Sequence, residues 1–136
     1  MRIALLALPG SMRSALAGMA DMFWLANQVI LSNPSLNKDI SRETPFFDVR
    51  IITADGQPVR DVHGRIIESD GSFNEPGAFG LIIASGMQLD EQRYPVDRAA
   101  VSCAARWLRL KYSEGSCIAA ACAGSFVLGE AGLLDG

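Results

Sequence analysis

The apolar positions fall into short solid runs separated by longer amphipathic stretches. Arg2 to Leu8 (RIALLAL) is almost continuously apolar and is closed by Pro9-Gly10. A run of this length without alternation predicts a strand buried on both faces, as in the middle of a parallel sheet. From Ser14 to Leu31 the apolar residues Leu16, Met19, Ala20, Phe23, Leu25, Ala26 and Ile30 recur at helical spacing, and Asn33-Pro34-Ser35 ends the pattern. Residues 32–45 are polar, carry two prolines and read as a surface loop. Phe46 to Thr53 predicts a second strand. Asp55-Gly56 is a two-residue turn signal with Val59 on the returning strand, and Arg65-Ile66-Ile67 after His63-Gly64 completes a small antiparallel appendage.

The second half repeats the alternation. Ala78 to Ala84 predicts a buried strand broken by Ser85-Gly86. Pro95 to Glu114 predicts a helix with Val96, Ala99, Ala100, Cys103, Trp107, Leu108 and Tyr112 on its apolar face. Pro95 suits its first turn and Gly115 its C-terminal cap. Cys117 to Ala121 is a last short strand, followed at once by a helical segment. Strands alternating with helices predict an α/β fold, with right-handed crossovers and a mainly parallel central sheet in a three-layer sandwich. Leu134-Asp135-Gly136 reads as a turn into a further strand, so the expectation is a single domain over 1–136, truncated after the last helix.

Strand, small-residue turn and helix around Cys122 form the pattern of a nucleophile elbow. Ala120 and Gly124 stand two residues either side of the cysteine, where strand and helix backbones come close. The turn would lift the sulfur above the sheet edge, beside a helix N-terminus that suits a thiolate, an anion or a carbonyl oxygen. Ligands of open α/β sheets lie at the carboxyl ends of the strands. Those ends are Pro9 to Met12, Ser85 to Gln88, and Cys122 to Gly124. The candidate ligand-binding residues are therefore Met12, Ser85, Gly86, Met87, Cys122, Ala123 and Gly124, with Cys122 as candidate nucleophile.

Composition narrows the partners. The 136 residues are 49% hydrophobic and 20% charged, with net charge −3 and pI near 5.0. That balance disfavours nucleic-acid binding by this domain, which would want a clustered basic face. No apolar run reaches the roughly 20 residues that span a bilayer, and Met1 to Leu8 is too short for a signal peptide. The expected location is cytoplasmic, with no membrane partner. Three cysteines without a CxxC, and a single histidine, call for neither a disulfide set nor a metal or other cofactor. Cys103 and Cys117 read as packing residues and His63 as an exposed turn residue. Trp24 and Trp107 read as core or helix–helix contacts, and Arg106, Arg109 and Lys111 as a solvated helix face.

Three stretches carry a resemblance. They are Leu16-Ala17-Gly18 with Asp21, Phe23 and Ala26-Asn27; Ile51 to Val59 (IITADGQPV); and, most specific, Cys122 to Gly136 (CAGSFVLGEAGLLDG). Together they resemble the PfpI-type branch of the class I glutamine amidotransferase-like superfamily. More narrowly, they resemble the amino-terminal domain of AraC-family transcriptional regulators. The resemblance implies a flavodoxin-like, glutamine amidotransferase-like fold, and likens Ser85-Gly86-Met87 to an oxyanion-hole loop. It also implies a homodimer, a small effector of the amino-acid or amine class, and a downstream helix-turn-helix domain as the only DNA contact. Enzymes of the superfamily pair the elbow cysteine with an acid and often a histidine. Aligned on Leu16 to Gly18, the acid position falls at Ala15; no Asp or Glu lies between Met1 and Ala20, and the histidine position falls beyond Gly136. The favoured expectation is thus a non-catalytic sensing and dimerisation domain. The alternative is a stand-alone PfpI-like hydratase, amidohydrolase or glyoxal-detoxifying enzyme using Cys122, with Asp21 the nearest acid. A third reading is a structural dimerisation domain with a vestigial pocket.

Overall fold

Ile3, Leu5 and Ala7 point to one side of the first strand, and Ala4, Leu6 and Leu8 to the other; all six are buried. This is why the run carries no polar alternation. In the computed structural model, which describes residues 1–36 and 45–135, that strand (β1, Arg2–Leu6) is the middle of a five-stranded sheet. Next come α1 (Arg13–Ser32), β2 (Asp48–Thr53), β3 (Val59–Arg60), β4 (Ile66–Ile67), β5 (Gly71–Ser72), β6 (Leu81–Ala84), α2 (Arg98–Ser113), β7 (Cys117–Ala120) and α3 (Ser125–Glu130). The sheet order is β5-β2-β1-β6-β7, and every pairing in it is parallel. The three layers are as the sequence predicts. Leu16, Met19 and Phe23 of α1 cover the face of Ile3, Leu5 and Ile83. Val101, Ala104 and Leu108 of α2, with Val127 of α3, cover the face of Ala4, Leu6 and Ile82.

Helix α2 is bounded by its own chemistry. The Asp97 carboxylate accepts the Ala100 N–H at 2.9 Å, capping the N-terminus. At the other end Gly115 takes φ +98°. Its N–H donates to Tyr112 and the Ser116 N–H to Lys111, each at 3.0 Å, the paired bonds of a Schellman motif. The cap expected at Gly115 is therefore present. Pro95 lies outside the helix instead of in its first turn: it forms a bridge with Leu89, and Asp97 supplies the cap that a start at Pro95 would lack. Val96 is exposed for the same reason.

Other boundaries shift for local reasons. Strand β2 begins at Asp48, not Phe46, because the Asn27 side chain takes the backbone of Phe47. Asn27 donates to its carbonyl and accepts its N–H, both at 2.9 Å. The Asp55-Gly56 turn forms, with Gly56 at φ +78°. Val59, however, pairs antiparallel with Ile67 in a separate two-stranded ribbon, because the place beside β2 is filled by β5. Of the expected 32–45 loop, residues 37–44 lie outside the described residues. Trp107 is buried, stacked on Phe73 with centroids 4.4 Å apart, and its Nε1–H donates to the Phe73 carbonyl. Trp24 is exposed, as are Leu25 and Tyr112. Lys111 is buried against Glu114 at 2.8 Å, and Arg109 donates to the Ala131 carbonyl, so only part of that basic face is solvated.

Candidate functional site

At the end of β7 the Ala121 N–H still donates to the Ala84 carbonyl, and the chain then turns abruptly. Cys122 takes φ +55°. A side chain rarely occupies this left-handed region, at a cost of order 1–3 kcal/mol where the surroundings enforce it. Among the described residues only Arg93 shares it outside glycine. Residues Cys122–Gly124 form a single 3-10 turn that runs into α3. The Gly124 N–H donates to Ala121 at 3.0 Å, and the Ser125 hydroxyl donates to the Cys122 carbonyl at 3.1 Å. The elbow is therefore locked on both sides of the cysteine, whose thiol is left exposed.

Of the two small residues expected at the close approach, Gly124 is crowded and Ala120 is not. Ala120 is exposed at the sheet edge. The crowding falls on Gly124, which packs on β6: a Cβ there would lie 2.0 Å from the Ala84 carbonyl oxygen. In front of the elbow, a Cβ on Gly86 would lie 3.4 Å from Cys122 Cβ, 3.8 Å from its Sγ and 3.7 Å from Met12 Sδ. Met12, Gly86 and Cys122 therefore converge, from the ends of three strands. The Met12 N–H donates to the Gly86 carbonyl at 2.9 Å and the Gln88 N–H to Gly10 at 2.8 Å, stitching the first two loops together around a Ser11–Met87 bridge.

The other candidate positions serve this geometry from behind. Ser85 is buried and its hydroxyl donates to the Leu6 carbonyl at 2.9 Å. Met87 and Ala123 belong to the core under α2 and α3. Among the described residues the Cys122 thiol has no hydrogen-bonded acid or histidine. His63 is exposed in the ribbon turn, and Asp21 is exposed on α1. No group of three metal-ligating side chains occurs among the described residues.

Three residues outside the sequence prediction hold the rim. Ser11 is buried and its hydroxyl accepts the Leu8 N–H at 2.8 Å. Asp61, also buried, accepts the N–H groups of His63 and Arg65 at 2.9 Å and the Arg13 Nε–H at 3.0 Å. Arg13 further donates to the Ile66 carbonyl. Burial by itself would raise the Asp61 carboxyl. The Arg65 and His63 N–H groups and the Arg13 guanidinium outweigh that, and hold it below the ordinary carboxylate value. The β3–β4 ribbon is thus tied to the start of α1, next to Met12. Bonds from Gly10 to Arg60 and from Val62 to Ser11 complete the tie. Asp61 sits before a His-Gly turn, where an aspartate that caps its own turn is common; that was the available signal. Two cavities of about 610 and 620 Å³ lie elsewhere on the molecule, and neither is lined by Cys122.

The fold has known counterparts. The "putative transcriptional regulator protein" of Vibrio parahaemolyticus matches 99% of this chain at TM-score 0.74 and 18% identity, over 63% of its own length. The chain has the fold of the DJ-1/ThiJ/PfpI proteins. A ThiJ/PfpI family protein from Pseudomonas syringae matches 99% of the chain at TM-score 0.66 and 23% identity, over 47% of its length. A DJ-1 superfamily protein from Agrobacterium tumefaciens matches 98% at TM-score 0.64 and 18% identity, over 60% of its length. The chain spans less than two thirds of each of these proteins. No family profile matches it, and no curated protein does. No helix among the described residues is long and apolar enough to cross a membrane.

Proposed function

We propose that this chain is a non-catalytic metabolite-sensing and dimerisation domain of an AraC-type transcriptional regulator. Its effector, a small amine or amino acid, would sit at the rim of Met12, Gly86 and Cys122. DNA would be contacted by a helix-turn-helix domain elsewhere in the protein. The observation that carries this reading is an elbow built in full around an exposed thiol to which no acid or histidine among the described residues is hydrogen-bonded. An activated nucleophile needs such a partner; a binding rim does not. Ala15 at the family's acid position and the likeness to the "putative transcriptional regulator protein" of Vibrio parahaemolyticus support the same reading. The homodimer draws on α1, where Met22, Leu25 and Val29 are exposed at helical spacing.

The strained Cys122 favours a second reading. A left-handed, exposed cysteine is also what a PfpI-like hydratase, amidohydrolase or glyoxal-detoxifying enzyme would present. Incubation of the purified full-length protein with aldehydes, amides and isonitriles separates the two. The sensing reading expects no turnover beyond that of Cys122→Ala, together with a rise in melting temperature with an amine or amino acid. Turnover that Cys122→Ala abolishes would replace it with the enzyme.

A further inference from the structure

We propose that the cavity between the 89–95 loop, α2 and α3 is a second binding site, built for a zwitterionic metabolite with an apolar body: a free apolar α-amino acid. It goes beyond the proposed role of Cys122, which does not line it. The cavity has a volume of about 610 Å³, within the range of small-ligand sites. Its apolar walls come from Tyr94, Val101, Phe126 and Leu134. The rings of Tyr94 and Phe126 meet at 6.0 Å and 56°, which leaves an aromatic corner for an aliphatic or aromatic side chain.

Two opposite charges complete the lining, and each is held by something other than the other. The Arg98 guanidinium lies over the Tyr94 ring, 5.4 Å from its centroid. The Glu130 carboxylate accepts the Ser102 hydroxyl at 3.0 Å through one oxygen. Arg98 and Ser102 are one turn apart on α2, about 6 Å along the helix, so Arg98 and the Glu130 bonded to Ser102 line the same cavity. Neither forms an ion pair with any described residue. A monocarboxylate would meet Glu130 as a like charge, and a simple amine would meet Arg98. A ligand carrying both charges matches both walls, with carboxylate on Arg98, ammonium on Glu130 and side chain against Tyr94 and Phe126.

The 89–95 loop is preset for this. The Asp90 carboxylate accepts the N–H groups of Gln92 and Tyr94, both at 2.9 Å. The Asp90 N–H donates back to the Tyr94 carbonyl at 2.7 Å, and Leu89 bridges to Pro95. Tyr94 is therefore presented from a closed loop at little ordering cost on binding.

The test is calorimetric titration of the full chain with L-phenylalanine and L-leucine, and with 3-phenylpropanoate and 2-phenylethylamine as probes lacking one charge. At least one amino acid should bind, and each single-charge analogue should bind at least about ten-fold more weakly, as expected for loss of a charged hydrogen bond. Arg98→Gln and Glu130→Gln should each weaken amino-acid binding at least about ten-fold. Gly129→Leu should abolish it: a Cβ there meets only Leu134, at 3.9 Å, so the new side chain fills space without straining the helix. The proposal is overturned if cooperatively folded protein binds neither amino acid at about 10 mM, or if the analogues bind as well as the amino acids. It is also overturned if Cys122→Ala removes binding that Arg98→Gln and Gly129→Leu retain, which would place the ligand at the elbow.

Discussion

Gly124 is seated against the Ala84 carbonyl so closely that a methyl group on it would come within 2.0 Å of the oxygen. Neither partner can yield easily, because the Ala84 carbonyl also accepts the Ala121 N–H at 2.9 Å and β6 is fixed between two strands. Gly124→Ala should therefore destabilise the fold by at least about 2 kcal/mol. Urea unfolding measures this. A change within about 0.5 kcal/mol, ordinary for a surface substitution, would show that α3 can slide outward without loss.

Cys122 carries its strain in the backbone. Its thiol is exposed, so truncation removes little packing. Cys122→Gly should be more stable than Cys122→Ala by about 1 kcal/mol, the reverse of the usual order for a helical segment. Paired thermal melts of the two variants would reveal it, and equal stabilities would mean that the turn is not enforced.

Gly86 guards access to the sulfur by having no side chain. Gly86→Val places methyl groups against Cys122 and Met12 and should slow alkylation of Cys122 by iodoacetamide several-fold. Cys117 is exposed on the opposite part of the edge strand and should react at its original rate. Peptide mass mapping distinguishes the two thiols in one sample.

The Asp61 carboxyl titrates below its ordinary value in the folded chain. The unfolded chain therefore binds a proton first as pH falls, and the stability that Asp61 contributes is present above about pH 4. It is lost as pH drops from there through the folded value. Wild type should lose stability more steeply than Asp61→Asn below about pH 4, while the variant is the less stable of the two at neutral pH. Denaturation midpoints measured across this window decide it; parallel curves would mean that the carboxyl is not held by Arg13 and the turn amides.

The major elements were legible because burial on both faces erases alternation in β1 and β6, and because one-sided burial restores a helical period in α2. The elbow was legible because Gly124 is a steric requirement beside the cysteine. What stayed hidden has no local signature. Gly71 and Ser72 carry no strand pattern, and become β5 only because β2 offers an open edge to their backbone. Val59 reads as the return of a hairpin, yet finds Ile67, since two-residue strands carry no period. Asn27 lies within the helical run with no local mark of burial, but is buried by the Phe47 backbone that it clamps. At the site, Met12, Gly86 and Cys122 converge as the strand ends imply. The alternation beyond β6 turns Ser85 and Met87 away from the thiol, and the Asp61–Arg13 tie depends on a ribbon whose docking no short pattern encodes.

The stitched loops around Cys122 also bear on how the chain reaches its native state. Residues 12, 86 and 122 are far apart in sequence, and each arrives on a different strand end. Their meeting requires the parallel β1–β6 and β6–β7 pairings to form, the slow, non-local part of assembling such a topology. The environment of this one thiol therefore reports on the β1–β6–β7 side of the sheet: its accessibility to a reagent during refolding would be a single-residue clock for the closing of those two pairings.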